Sequence, residues 1–183
     1  MSVEKIIIFL DMDGVLNSQK MSLESDDFPD GNGPILSVEK DLVEKLRRWV
    51  ESNGAKIVVS SSWRSNRMNA GGWKDPKTQN FNVWNALSWA GWEGVEDYLI
   101  GNTERLWGQS RGKEINDWLA KNENLNDDST CVIILDDILN FTKKQKEENL
   151  VKTNPEFGLC DSDISKMDGM LKNTVCIKRK LRK

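Results

Sequence analysis

The sequence contains no histidine among its 183 residues. That absence removes Ser-His-Asp and Cys-His catalysis, histidine-ligated zinc and phosphohistidine chemistry. Any catalysis must then use Asp, Glu, Lys, Ser, Cys or a hard metal held by oxygen ligands. Cysteine is scarce as well. Cys131, Cys160 and Cys176 are odd in number and lack C-x-x-C spacing, which argues against a disulfide framework and a thiolate zinc site and leaves buried thiols as the expectation. No apolar run approaches the ~20 residues of a membrane span. The opening also lacks the basic-then-apolar layout of a secretory leader, because its first apolar run is short and meets Asp11. The expectation is a cytoplasmic protein with no membrane partner. Neither an internal repeat nor a low-complexity linker interrupts the chain, so a single domain over residues 1–183 is expected.

What is present is a soluble composition, 38% apolar and 30% charged with a formal net charge of -3. Lys5 to Leu10 is too short for a helix, rich in Ile and without alternation, so it reads as a strand covered on both faces, as in a parallel sheet. From Ser37, an expected N-cap, to Gly54, an expected stop, Val38, Leu42, Val43, Leu46, Trp49 and Val50 recur at helical spacing. Lys56 to Val59 is a second short apolar strand, and the β-helix-β order implies a right-handed parallel crossover. Helices are expected near Asn80 to Ala90, at Arg111 to Lys121, at Lys143 to Asn149 and at Ser162 to Leu171. Strands are expected at Cys131 to Leu135 and, at an edge, Leu150 to Thr153.

Residues 65–109 form an irregular, Trp-rich insertion containing Trp73, Trp84, Trp89, Trp92 and Trp107, expected to pack on itself, with a lid or a stacking platform for a base as the alternative. Trp49 and Trp118 fall on apolar helix faces and belong to the core. Residues 172–183 carry six basic residues and no acidic one and are expected to be a solvated tail, with a salt-dependent contact to nucleic acid as the alternative.

Three expected strands end, on their carboxyl side, in groups able to hold a phosphate or a metal: Asp11 with Asp13, then Ser60, Ser61 and Ser62, then Asp136 with Asp137. In open parallel sheets ligands bind at that edge. Carboxylates gathered there repel one another, and a divalent cation relieves the repulsion; an all-oxygen donor set favours Mg²⁺ over zinc or copper. Arg64, just beyond the serines, has the fork to grip a phosphate or carboxylate bidentately, or to form a structural ion pair.

These residues resemble a family. Asp11-Met12-Asp13-Gly14-Val15 looks like the D-x-D-G-V/T first motif of the haloacid dehalogenase-like (HAD-like) hydrolases. The strand-terminal serines resemble their second motif, Lys113 in Arg111-Gly112-Lys113 their third, and Ile134-Leu135-Asp136-Asp137 their fourth, in the family's order over residues 6–137. FLDMDGVLNS, VVSSSWRS, RGKEINDWL, ILDD and Asn154-Pro155 to Gly158-Leu159 are similar, more narrowly, to the HAD-type domains associated with multi-domain RNA repair proteins. The resemblance implies an α/β, Rossmann-like three-layer sandwich with a mostly parallel central sheet and a small insertion instead of a large cap.

It further implies a Mg²⁺-dependent phosphomonoester hydrolase, a phosphatase with Asp11 as the nucleophile that forms an aspartyl-phosphate. Asp13 is the implied acid and then base, offering its main-chain carbonyl to the metal, and Lys113 is the neutralising cation. Ser61 is the favoured phosphate ligand, with Ser60 and Ser62 as competitors. Asp11, Asp13, Asp136 and Asp137 make up the metal set; Asp137 is favoured as direct ligand and Asp136 as partner of Lys113, although spacing leaves that open. The open site implied by a missing cap suits a phosphate at the end of a polymer or on a protein better than an enclosed small metabolite, and a nucleotide or nucleic-acid end is the expected partner. A receiver-like phosphoacceptor and an inactive phosphate- or nucleic-acid-binding domain are the rival expectations.

Overall fold

A computed structural model describes residues 5–20, 38–64, 81–125 and 129–181. Five strands, β1 (Lys5–Leu10), β2 (Lys56–Val59), β3 (Leu99–Asn102), β4 (Thr130–Asp136) and β5 (Leu150–Lys152), form one sheet in the order β3-β2-β1-β4-β5. Every pairing is parallel, so each strand is followed by a connection that returns along the sheet. The order differs from the 2-1-3-4-5 order of flavodoxin-like and receiver domains, which removes the receiver-like phosphoacceptor from the rival readings.

β1 occupies the centre, and its unbroken apolar run follows from being covered twice. Ile6, Ile8 and Leu10 join one cluster, with Leu42, Val43, Leu46, Trp49 and Val50 from α1 (Lys40–Asn53), Leu87 from α2 (Phe81–Trp89) and Met167 from α5 (Asp161–Leu181). Ile7 and Phe9 point the other way and pack with Ile115 and Trp118 of α3 (Arg111–Lys121). Phe9 and Trp118 meet edge to face at 5.5 Å. A sheet between two helical layers results, an α/β Rossmann-like arrangement.

Helix α1 carries its apolar residues on one stripe and stops at Gly54, whose φ of 63° few other residues adopt. Its N-cap is Glu39, without a side-chain capping bond; the expected cap Ser37 lies outside the described residues. The Trp49 indole N–H donates to Asp168 Oδ1 at 2.8 Å and ties α1 to α5. The short helix α4 (Lys143–Glu148) starts in a full capping box, Thr142 with Gln145.

Two expected boundaries change. The part of the Trp-rich insertion that is described, residues 81–109, contributes α2 and β3 to the main sheet and its cover, and Trp92 is fully buried in the core. The remainder of the insertion, Trp73 included, lies outside the described residues, as does most of residues 18–36. The last helix runs on to Leu181, ten residues past the expected end, so the backbone of the basic stretch is helical as far as it is described. Trp49 and Trp118 are buried. Cys131 is buried and Cys160 half-buried, both outside any disulfide. Among the described residues no helix is long and apolar enough to cross a membrane.

Candidate active site

β1 and β4 run side by side in register, Leu10 opposite Leu135, so the residues that follow them emerge together at the carboxyl edge. Asp11 follows β1, with its N–H on the Leu135 carbonyl at 2.9 Å. Asp136 ends β4 and Asp137 follows it. Carboxylate oxygens of Asp11, Asp136 and Asp137 all lie within 4.8 Å of one another. Asp11 and Asp136 are buried, Asp137 half-buried. Asp137 packs against Gly14: a Cβ on Gly14 would sit 2.7 Å from the Asp137 carboxyl carbon, and Gly14 has φ 71°. A glycine is therefore required here both for its turn and for the space it leaves. The turn is held from outside by Thr153, whose hydroxyl donates to the Gly14 carbonyl at 2.8 Å.

One cation enters this cluster. Arg111 Nη1 lies 3.2 Å from Asp11 Oδ2 and 3.4 Å from Asp136 Oδ2. These distances bring charge together, but neither contact has hydrogen-bond alignment, and both Arg111 Nη1 and Asp136 Oδ2 are buried without a hydrogen-bond partner. Burial, and then the Asp11 charge, push the Asp136 carboxyl up to about 7, with Arg111 opposing. Burial and Asp11 raise Asp137 as well. Among the described residues the three carboxylates, when ionised, outweigh the one guanidinium beside them by two charges, and the donors are all oxygen. The orphaned Asp136 oxygen and this imbalance fit a hard divalent cation such as Mg²⁺.

Asp13 stands apart, exposed and braced. The Trp63 indole N–H donates to both of its oxygens at 3.0 Å, Asn17 Nδ2 to Oδ1 at 3.0 Å and the Ser62 hydroxyl to Oδ2 at 3.4 Å. Asn17 also accepts from the Gly14 N–H, so the loop closes on itself while it aims the carboxylate.

Ser60 and Ser61 are buried at the end of β2. Ser61 Oγ accepts the Trp63 N–H at 3.3 Å. The Ser60 hydroxyl and that of Thr103, the residue after β3, are buried without partners. Arg64 is engaged in the structural pair that was one of its two expected roles: Nη2 is 2.6 Å from Glu114 Oε2, Nη1 donates to the Ser61 carbonyl, and both side chains of the pair are about 95% buried. Burial lowers the Arg64 guanidinium from its ordinary value, and the Glu114 charge opposes that shift.

The family model describing the HAD domain in Swiss Army Knife RNA repair proteins matches residues 7–164. The chain belongs to this family. Neither the comparison with curated proteins nor that with solved structures gave a match. Membership in a HAD family supports a phosphatase-like role, and the site has the acidic cluster that such a role employs.

Within this HAD domain, Asp11, Asp136 and Asp137 come together as a cluster, and Asp13, Ser60, Ser61 and Ser62 line the same edge. Lys113 does not join them. Its side chain is exposed and makes no ion pair among the described residues; Arg111 takes the place beside Asp136 in which Lys113 was expected. Ser110 caps α3, its Oγ accepting the Lys113 N–H at 3.2 Å, which makes Arg111 the first helical residue. Lys113, two residues on, is turned about 200° around the axis. A cation at a helix N-terminus opposes the macrodipole, and the two carboxylates facing Arg111 offset that penalty. Sequence reasoning also passed over Trp63 and Glu114; the Ser110 cap was the available signal for Arg111, whereas nothing local marks the other two.

Proposed function

We propose that this HAD domain is a divalent-metal-dependent phosphomonoester hydrolase, Mg²⁺ being the favoured ion, that acts on a phosphate at the end of a nucleotide or nucleic acid. The observation that carries the reading is the buried Asp11, set beside Asp136 and Arg111 with its oxygens unevenly engaged. Oδ1 accepts the Met12 N–H at 2.8 Å, while Oδ2 faces the guanidinium. Asp11 attacks the phosphorus in line, the phosphorus–ester oxygen bond breaks, and Asp13 gives a proton to the departing oxygen. Water then attacks the aspartyl-phosphate while Asp13 takes a proton back, and inorganic phosphate leaves with Asp11 restored.

Arg111 draws negative charge from the nucleophile and from the equatorial oxygens as transfer proceeds. Trp63 and Asn17 keep Asp13 aimed at the ester oxygen. The serine hydroxyls and N–H groups after β2 orient the phosphoryl group, Ser61 foremost. Asp11, the main-chain carbonyl of Asp13 and the Asp136/Asp137 pair, Asp137 foremost, would hold the cation. When bound, that ion supplies charge neutralisation for a dianionic phosphate. The test is hydrolysis of a generic aryl phosphate with Mg²⁺ or with chelator. Metal-dependent turnover that Asp11→Asn abolishes is the expected result; equal turnover by both proteins would sink the nucleophile assignment, and no turnover on any phosphate would favour the inactive binding domain.

A further inference from the structure

We propose that Trp107, with Arg105 against it, is a stacking platform for a nucleobase of a single-stranded nucleic acid whose terminal phosphate enters the Asp11 site; this rests on the phosphate-transfer reading above. Five large apolar side chains stand exposed among the described residues: Trp89, Trp107, Ile138, Leu139 and Phe157. In a parallel sheet every connection that leaves a strand starts at the carboxyl edge. Trp107 follows β3, Ile138 and Leu139 follow β4, and Phe157 follows β5, so four of the five rim the edge that holds Asp11. Trp89 ends α2 and belongs to the return path.

Trp107 is 83% exposed, yet its loop is fastened to the catalytic centre. The Gln109 N–H closes a turn onto the Leu106 carbonyl at 3.0 Å. The Leu106 N–H donates to Glu114 Oε1 at 3.0 Å, and the same Glu114 holds Arg64, which holds the Ser61 carbonyl. The start of the loop is pinned by Glu104 to Lys121 at 2.8 Å. Four residues beyond Trp107, Arg111 reaches Asp11, a chain span of at most ~14 Å. A large indole presented to water on a turn tied to the phosphate site has the exposure and the fixed placement that a recognition surface needs.

The chemistry indicates what it takes. The Arg105 guanidinium lies 4.5 Å from the indole centre, covering part of the ring with a cation, while the rest of the indole faces water. A nucleobase stacks on such a ring whatever its identity, and a guanidinium beside it meets the adjoining backbone phosphate. The chain's net charge of -3 leaves little nonspecific attraction to a polyanion, so stacking has to carry much of the affinity. A sugar phosphate or inorganic phosphate has no flat face for Trp107 to meet.

The test is binding of fluorescent, terminally phosphorylated single-stranded RNA and DNA oligonucleotides, read by anisotropy in the full chain with Asp11→Asn so that the phosphate stays in place. Trp107→Ala is expected to weaken both oligonucleotides at least five-fold. Trp107→Phe should recover most of that loss, and Trp89→Ala, at the other edge, should change nothing. Arg105→Ala should flatten the salt dependence. The proposal is overturned if the parent does not bind, if Trp107→Ala binds as the parent does, or if a phosphoserine peptide binds as tightly with the same dependence on Trp107. Trp107-dependent binding without turnover by the wild type would sink the hydrolase reading and leave the platform standing; turnover of small phosphates with binding indifferent to Trp107 would do the reverse.

Discussion

Two buried groups of opposite charge lie near each other at the carboxyl edge, and they are built differently. Arg64 and Glu114 meet at 2.6 Å with both side chains about 95% buried, and their remaining contacts reach the Ser61 carbonyl and the Leu106 N–H. Arg111, Asp11 and Asp136 meet at 3.2 and 3.4 Å without alignment, leaving Asp136 Oδ2 unbonded and Asp137 close by. The first is a charge-balanced ion pair that holds three segments together, with both Glu114 oxygens and both terminal nitrogens of Arg64 bonded and only Arg64 Nε buried without a partner. The second has an excess of negative charge that nothing among the described residues neutralises. Burying charge is tolerable only when it is paired and hydrogen-bonded. The cluster with excess negative charge therefore marks where a cation belongs, whereas in the Arg64–Glu114 pair one cation meets one carboxylate.

Substitutions should separate the two groups. Asp11→Asn should lower kcat for an aryl phosphate by at least ~10³-fold through loss of the nucleophile, with little loss of thermal stability. Glu114→Ala should do the opposite, lowering unfolding free energy in urea by roughly 3–5 kcal/mol because Arg64 is left buried without its counter-charge. Arg111→Ala should reduce kcat/KM by about 10²-fold, a loss at least ten times greater than that of Lys113→Ala; equal losses would return the neutralising role to Lys113.

A further effect is a pH dependence. Asp136 titrates near 7 in the folded chain and Asp137 is also raised, whereas both fall near the ordinary carboxylate value when unfolded. Between those values the folded state binds more protons than the unfolded state. Metal-free stability should therefore fall as pH rises from about 4 to about 7 and level off above. Asp136→Asn should flatten that slope in a series of thermal melts, and Mg²⁺ should raise the melting temperature most at the alkaline end.

The strands were legible where burial on both faces leaves an unbroken apolar run, as in β1 and β2 and in the Cys131 to Leu135 part of β4. Helices α1 and α3 were legible because one apolar stripe faces the sheet. β3 was not, for a physical reason. Leu99–Asn102 is four residues long, alternates buried and half-buried, and includes Gly101, which lies beneath the Trp118 indole. A strand at the sheet's edge needs neither length nor continuous hydrophobicity, and the surrounding tryptophans made it resemble an insertion. The end of α5 was missed because a run of basic residues reads as solvated tail whether or not its backbone is helical.

At the site, Asp11, Asp136 and Asp137 could be grouped from strand order alone, since parallel strands deliver their ends to one edge. The cation could not be placed that way. Which of Arg111 and Lys113 turns inward depends on where the helix begins, and Ser110 decides that by a single capping bond. Trp63 and Glu114 act across about fifty residues of sequence, a separation at which no local pattern operates.

The central claim, that the cluster with excess negative charge is a cation site and the charge-balanced pair is scaffold, is tested most directly by calorimetric titration of Mg²⁺ into the wild type, Asp11→Asn, Asp136→Asn and Lys121→Ala at pH 8. The account predicts saturable binding of one ion by the wild type and by Lys121→Ala, whose ion pairs lie away from the cluster, and its loss or strong weakening in both aspartate variants. Binding that persists unchanged in Asp11→Asn and Asp136→Asn, or no binding by the wild type, would contradict it.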